Sequence, residues 1–358
     1  MTTTTIRDTS FRALKTVQIS KPERYGYAAL RIRRDALIES LEAAAHKCDI
    51  PINYEHKLVA IDEHDSGATC HFSNGVTKSA SLVVGADGLH SMVRTIRFPN
   101  APAPTYTGQA GIMWSVPRLE LKYPVTSKPQ SDMNLESTSM TTPQGVVLFV
   151  PNSSDGADMR IGAQRPLIER DVAGWKKLGQ DKEGLAKVLR ETCEEIPEPV
   201  RSAIEYAERS DKNEFFLWPF YVLSMIDGWV SKGRKGRVVL IGDGAHAFPP
   251  TGGQGAGMAV EDAHGLGLVL GMQSGPTVEE RLKIWLKWRM NRIDRVAEYI
   301  ANLGKSRLAS PQPKVGDEGI RKETKPANPL GDIDDMAWLY DWESKEQLAA
   351  WMGKTKET

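Results

Sequence analysis

Cysteine is scarce: the chain of 358 residues contains three, at Cys48, Cys70 and Cys193. No two of them form a Cys-x-x-Cys pair, so the sequence favours neither a disulfide framework nor a zinc cage. Few and scattered cysteines are typical of a reducing compartment. We therefore predict a cytosolic (cytoplasmic) protein without a bound metal.

An excess of either charge is also absent, because 46 lysines and arginines balance 46 aspartates and glutamates. The chain therefore has no electrostatic reason to bind nucleic acid or an anionic membrane. Long apolar runs are missing too, and without about 18 apolar residues in succession no membrane-spanning helix is predicted. The first stretch has no apolar core of signal-peptide length, and Asp8 argues against an organelle transit segment.

What the sequence does contain suits two ordinary globular domains, with 40% of the 358 residues apolar and 26% charged. Leu37, Ile38 and Leu41 recur at helical spacing, which predicts a helix from Arg34 that ends by Cys48. Short apolar runs between turn residues predict strands at 57–61, 69–72, 82–84, 111–116, 145–150 and 159–162. Further helices are predicted at 172–207, 254–270 and 278–302, and an extended segment at 22–33.

The strongest motif lies at residues 237–258, where a buried-type strand ends in Gly242-Asp243. A turn rich in proline and glycine follows, and then a helix with small residues at its start. An aspartate at a strand end can accept hydrogen bonds from ribose hydroxyls, and the free N–H groups of a helix start stabilise an anion. The glycines allow the backbone to approach a flat ligand. The motif therefore indicates a nucleotide-like cofactor whose far end gains negative charge.

Two other interpretations of this motif remain open. Residues 242–247 also fit the loose dinucleotide pattern G-x-G-x-x-G/A, but that pattern needs a helix to open there, and Pro249-Pro250 comes too soon. The second alternative is a tight glycine turn between strand and helix, in which Asp243 and His246 only satisfy local hydrogen bonds.

A second motif follows the strand at 82–84, which runs into Asp87-Gly88. Asp87 can hold backbone donors of the turn, and Gly88 can adopt a positive φ. Ser91 then opens a short helix that carries Arg94. The structural alternative is a capped helix start without a ligand.

Together, these elements resemble the single-component FAD-dependent aromatic hydroxylases, the para-hydroxybenzoate and salicylate hydroxylase-like flavoprotein monooxygenases. Arg34-x-x-Leu37-x-x-x-Leu41 resembles the arginine helix of that family, and the other two motifs resemble its Asp-Gly and Gly-Asp motifs. The resemblance implies that all three contact the cofactor, with Asp243 on the ribityl or pyrophosphate portion. The implied cofactor-binding residues are Arg34, Asp87, Gly88, Arg94, Gly242, Asp243, Pro250, Gly253, Gly255 and Ala256.

The resemblance also implies a fold and a reaction. The fold is α/β, a three-layer FAD/NAD(P)-binding domain built from 1–105 and 228–305, with an α+β substrate domain inserted at 106–227 and a tail at 306–358. The reaction is a monooxygenation in which NAD(P)H reduces FAD, and O₂ adds to the flavin as a hydroperoxide that hydroxylates or epoxidises an aromatic or polyketide-like molecule. The sequence names no catalytic base.

The front of the chain departs from this family. A GxGxxG turn between a strand and a helix should precede the arginine helix, yet only 33 residues precede Arg34, and Gly26 is the one glycine among them. The fold is thus predicted to be incomplete at its N-terminus. Either the chain is an incomplete reading of a longer protein, or it is a shortened descendant that binds FAD weakly or not at all. The second case leaves a flavin-free small-molecule-binding protein or a non-redox cyclase as the alternative function.

Smaller departures and the remaining aromatic residues carry less weight. Gly244 and Met258 stand where the family usually has alanine and asparagine. Trp285 and Trp288 are three residues apart on a predicted helix, which predicts core positions. Alternating Phe216, Trp218 and Phe220 are predicted to pack in the core, with a lining for an aromatic substrate as the alternative.

Overall fold

The computed structural model describes residues 3–124, 137–142, 145–191, 196–233, 236–308 and 336–354, with the backbone alone at 141, 251, 303–308 and 353–354. Cys193 lies outside the described residues. The strands are β1 Thr3–Arg7, β2 Ala13–Gln18, β3 Leu58–His64, β4 Gly67–Phe72, β5 Thr77–Ala80, β6 Val83–Gly85, β7 Thr105–Pro117, β8 Ser137–Thr142, β9 Gly145–Pro151, β10 Asp158–Pro166, β11 Phe216–Val222 and β12 Val238–Leu240. The helices are α1 Pro22–Tyr25, α2 Arg34–Lys47, α3 Met92–Arg97, α4 Val172–Gln180, α5 Lys182–Glu191, α6 Glu198–Arg209, α7 Asp243–His246, α8 Gly255–Leu270, α9 Val278–Leu308, α10 Ala337–Tyr340 and α11 Ser344–Lys354.

The chain divides into two compact units. The first contains residues 1–31, 106–220 and 309–340, and its sheet has the strand order β11-β7-β10-β9-β8-β1-β2. Alternate residues of these strands, such as Met159, Ile161 and Ala163 of β10, are buried in one core with side chains of α5 and α6. This alternation is what an antiparallel sheet with one covered face requires. The predicted strands at 111–116, 145–150 and 159–162 are confirmed within β7, β9 and β10.

The first residues of the chain differ from the sequence-based expectation. Residues 1–105 were expected in one domain with 228–305, yet β1 pairs in parallel with β8, with Ile6 opposite Ser139, and antiparallel with β2. The run of threonines in β1 suits a strand, since β-branched residues favour extended backbone. Its partner strand lies more than 130 residues along the chain, and no local pattern reveals such a pairing. Within 22–33, predicted extended, Pro22 begins the short helix α1, and Gly26 ends it at φ 78°.

The second unit contains residues 32–105, 221–308 and 341–358. The strands β6 and β12 pair in parallel, with Val84 opposite Val239, and β3, β4 and β5 form a separate antiparallel sheet. All three residues of β12 are fully buried, as the continuous apolar run predicts. Trp285 and Trp288 of α9 are buried as predicted. In the described part of the chain, no helix combines the length and the hydropathy that crossing a membrane needs.

Two predicted apolar faces are more exposed than expected. The helix α2 begins and ends as predicted, but none of its residues is buried, and Leu41 on its apolar stripe is 61% exposed. In β11 the core prediction is correct for Phe220, which is 7% exposed, and wrong for Phe216, which is 53% exposed. Trp218 is half-buried, so the predicted core face holds fully only at Phe220.

Candidate functional site

The Asp-Gly turn follows β6 and is held by the Asp87 carboxylate. Asp87 accepts the hydroxyl proton of Ser91 and the backbone N–H groups of Met92 at 2.7 Å and Val93 at 3.1 Å. Gly88 adopts φ 78°, a conformation that suits glycine. Ser91 caps α3 by accepting the N–H of Arg94 at 2.8 Å. The local chemistry of Asp87 is thus that of a capped helix start, as the structural alternative predicted.

Arg94 connects this turn to the second motif. Its guanidinium is buried and donates from Nη1 to the carbonyl oxygens of Gly244 at 3.1 Å and Ala245 at 3.4 Å. It also donates from Nη2 to the carbonyl of Ser224 at 3.3 Å. Burial lowers the pKa of Arg94 from its usual value. The two predicted motifs, about 150 residues apart in sequence, therefore lie side by side in one unit.

The Gly-Asp turn needs glycine at Gly242, which has φ 59° and ψ −143°. A β-carbon at this position would also stand 3.1 Å from the Cβ of Ala259. At Gly244, in contrast, a β-carbon would meet the carbonyl oxygen of Gly88 at 3.5 Å, which is an ordinary contact. Alanine, the usual family residue at Gly244, would fit without rearrangement, so this departure changes little.

Asp243 presents an exposed carboxylate at the start of α7. A β-carbon built on Gly255 would stand 3.6 Å from Oδ1 of Asp243, so this carboxylate lies beside the first residue of α8. Within the described residues, the Asp243 carboxylate carries no hydrogen bond. It is an acceptor available to a ligand with hydroxyl groups.

The glycine-rich loop leaves open space at the start of α8. Pro250 opens a single 3-10 turn that Gly253 ends at φ 65°. Among the described residues, no heavy atom beyond the chain neighbours and the helix backbone lies within 4 Å of a β-carbon built on Gly253 or Gly257. No side chain caps α8, because the amide of Gln254 donates to the Gly252 carbonyl instead. The first N–H groups of α8, at Gly255 and Ala256, are therefore not bonded by a capping side chain and are available to a ligand.

The predicted site residue Arg34 lies in α2 and belongs to neither the Asp-Gly turn nor the Gly-Asp turn. It is exposed at the first residue of α2. The exposed Asp243 carboxylate, the open loop and the uncapped helix offer an acceptor, open space and N–H donors to a ligand. Residues 3–31 form β1, β2 and α1, and none of these elements forms a glycine turn between a strand and a helix.

The sequence motifs did not predict two residues that hold this region together. Asp262 in α8 accepts the backbone N–H of Gly242 at 2.9 Å, and Arg289 of α9 donates to Asp262 at 2.8 Å. The signal that could have found them is a carboxylate inside an apolar helix, which needs a partner when it is buried.

Comparisons with known proteins agree with the predicted FAD-dependent hydroxylase family. The family model described as "FAD binding domain" matches residues 25–298. The chain is 31% identical over 262 residues to hispidin-3-hydroxylase of Neonothopanus nambi, which covers 69% of this chain and 58% of that protein. It is 28% identical over 227 residues to salicylate hydroxylase of Pseudomonas putida, which covers 56% of this chain and 45% of that protein. The chain thus spans less than two thirds of the length of these two relatives.

A solved structure gives the same result for the fold. CtdE in complex with FAD and a substrate superposes with a TM-score of 0.74 at 17% identity, covering 99% of this chain and 81% of CtdE. The predicted α/β fold of this class is thereby confirmed.

Proposed function

Because the chain belongs to the FAD binding domain family, whose matched relatives are named monooxygenases and hydroxylases, we propose that it is a flavin-dependent monooxygenase. The substrate is an aromatic or polyketide-like small molecule that is hydroxylated or epoxidised with O₂ and NAD(P)H. One observation supports the proposal: the Asp243 carboxylate, which has no hydrogen bond among the described residues, lies beside the start of α8 at Gly255, next to an open glycine loop.

Different residues of the Gly-Asp turn and the loop after it would bind different portions of FAD. Asp243 accepts hydrogen bonds from the ribityl chain, and the N–H groups at Gly255 and Ala256 stabilise negative charge on the ring or the pyrophosphate. Pro250 and Gly253 keep the loop close to the ring. When bound, FAD supplies the redox chemistry and the activation of O₂, while the chain positions the substrate and excludes water.

The remaining predicted residues are those of the Asp-Gly motif and Arg34. Arg94 donates to the Gly244 and Ala245 carbonyls, and Asp87 and Gly88 shape the turn before the helix that carries Arg94. We therefore propose that these three residues position the Gly-Asp turn and do not contact the flavin ring. Arg34 would contact FAD from the start of α2, as the resemblance implies. We also propose a cytosolic location, on the scarcity of cysteine.

The test is the visible spectrum of the purified protein, followed by a titration with FAD. The wild-type chain should show bound oxidised flavin, and an aromatic compound should stimulate its oxidation of NAD(P)H. Asp243→Ala should weaken FAD binding about tenfold or more, the size of one lost charge-assisted hydrogen bond. Asp294→Ala, at an exposed aspartate of α9 in the same unit, should bind FAD like the wild type. A colourless wild type that does not respond to added FAD would overturn the proposal.

A further inference from the structure

We propose that Asp262 is the positioning residue of the turn that carries Asp243, and that it holds this turn through the backbone of Gly242 and the imidazole of His246. The inference rests on the proposed function, because it concerns the residue that would hold FAD. It begins from the fact that Asp243 makes no hydrogen bond of its own among the described residues. The position of its carboxylate is therefore set by the backbone on either side of it.

Asp262 is the acceptor that fixes this backbone. It is fully buried in α8, and its Oδ2 accepts both the N–H of Gly242 at 2.9 Å and Nε2 of His246 at 2.6 Å. These two partners bracket Asp243, one residue before it and three residues after it. Gly242 adopts φ 59°, one of many conformations open to glycine, so the surrounding contacts must select this one.

The charge of Asp262 is balanced from the opposite side. Arg289 is also fully buried and donates from Nε to Oδ1 of Asp262 at 2.8 Å, and from Nη1 to Glu261 at 2.7 Å. Arg292 donates to the other oxygen of Glu261 at 3.0 Å, and its guanidinium lies 3.9 Å from the ring centre of Trp342. Both oxygens of the buried Asp262 carboxylate accept hydrogen bonds, and these bonds connect the turn to α8 and α9.

The proton on His246 follows from its surroundings. Its ring is 1% exposed and lies against Trp229 and Phe248, with ring centres at 5.1 Å and 5.4 Å. Its Nδ1 has no hydrogen-bond partner among the described residues. Because an ionised carboxylate can only accept a hydrogen bond, Nε2 of His246 carries a proton and donates it to Asp262.

The first measurement is the affinity for FAD of the full chain carrying Asp262→Asn. Loss of the charge releases His246 and Gly242, so we expect the dissociation constant for FAD to rise about tenfold or more. The matched control is Glu63→Gln, at another buried carboxylate of the same unit. Glu63 accepts Ser231 Oγ at 2.7 Å and the N–H of Arg237 at 2.6 Å, and it pairs with Arg97. None of these three partners belongs to the turn at 242–246. This variant should lose comparable thermal stability and keep its FAD affinity.

The second measurement uses the wild-type chain without flavin, so it holds if Asp262→Asn fails to fold or if no FAD binds. Nitrogen-15 NMR of the imidazoles at neutral pH should show that Nε2 of His246 carries a proton and that this N–H is hydrogen-bonded to a carboxylate. A His246 whose Nε2 carries no proton, or whose Nε2–H exchanges freely with water, would overturn the inference. So would equal loss of FAD affinity in Asp262→Asn and Glu63→Gln. If the wild type does not bind FAD, the proposed function is wrong, and the NMR result alone tests the role of Asp262.

Discussion

At the scale of single residues, the two glycines of the Gly-Asp turn differ in what they tolerate. Gly242→Ala places a side chain at φ 59° and 3.1 Å from Ala259, so it should lower the free energy of unfolding by about 1–3 kcal/mol. Gly244→Ala, two residues on and in ordinary contact distance of Gly88, should change it by less than about 0.5 kcal/mol. Urea denaturation of both variants tests the difference, and equal losses would refute it.

A single carboxyl also gives the molecule a pH dependence. Burial by itself raises the pKa of Asp262, but the hydrogen bond and electrostatic attraction of His246, the charge of Arg289 and the N–H of Gly242 outweigh it and hold this pKa below its usual value. A carboxyl whose pKa is lower in the folded state stabilises the fold above its unfolded pKa, and this stability is lost as the pH falls through the folded value.

The prediction that follows compares unfolding free energies at several pH values. The difference between the wild type and Asp262→Asn should be constant between about pH 7 and 5, and it should shrink below about pH 3.8 as Asp262 takes up a proton. Denaturant titrations at each pH measure it. A difference that grows as the pH falls would show that the carboxyl is not stabilised in its charged form.

At the scale of elements, the sequence predicts that a helix or strand exists better than it predicts what that element packs against. The spacing of Leu37, Ile38 and Leu41 was sufficient to predict α2 to within a residue, because helical period is a local property. What the stripe packs against is not local, and in the described structure α2 has no buried residue. The Asp262 hydrogen bonds were missed for the same reason, since they join α8 to a turn 20 residues earlier and to α9.

Two leucines on different helices test this distinction. Leu41→Ala removes a side chain that is 61% exposed on α2, and it should change the free energy of unfolding by less than about 0.5 kcal/mol. Leu282→Ala on α9, where the side chain is 1% exposed, should cost about 2–5 kcal/mol through the cavity it leaves. Thermal or urea unfolding compares them. A large loss for Leu41→Ala would mean that the α2 stripe is covered in solution.

At the scale of the whole molecule, the sequence predicted both turns of the site but not the distribution of the chain between the two units. Each turn is a strand ending in a glycine–aspartate pair, which is visible locally, and a shared cofactor provided the reason to expect them together. The strand β1 is different: its backbone pairs with β8, so its place depends on a strand that lies beyond the whole of β2 to β7. A parallel pairing of this range carries a high entropy cost and leaves no local signal.

The assignment of the first residues to the sheet can be tested at Phe11, which lies between β1 and β2. Its side chain is 3% exposed and packs against Tyr123 and Phe149, with ring centres at 5.3 Å and 6.0 Å. Phe11→Ala should destabilise the first unit by about 3–5 kcal/mol. In hydrogen exchange, amides of β9 and β10 should then exchange faster, while those of β12 and α8 should keep their wild-type protection, because stability is lost locally in the unit that holds the cavity. Uniform loss of protection across all four elements would show that the first residues stabilise both units as one cooperative body.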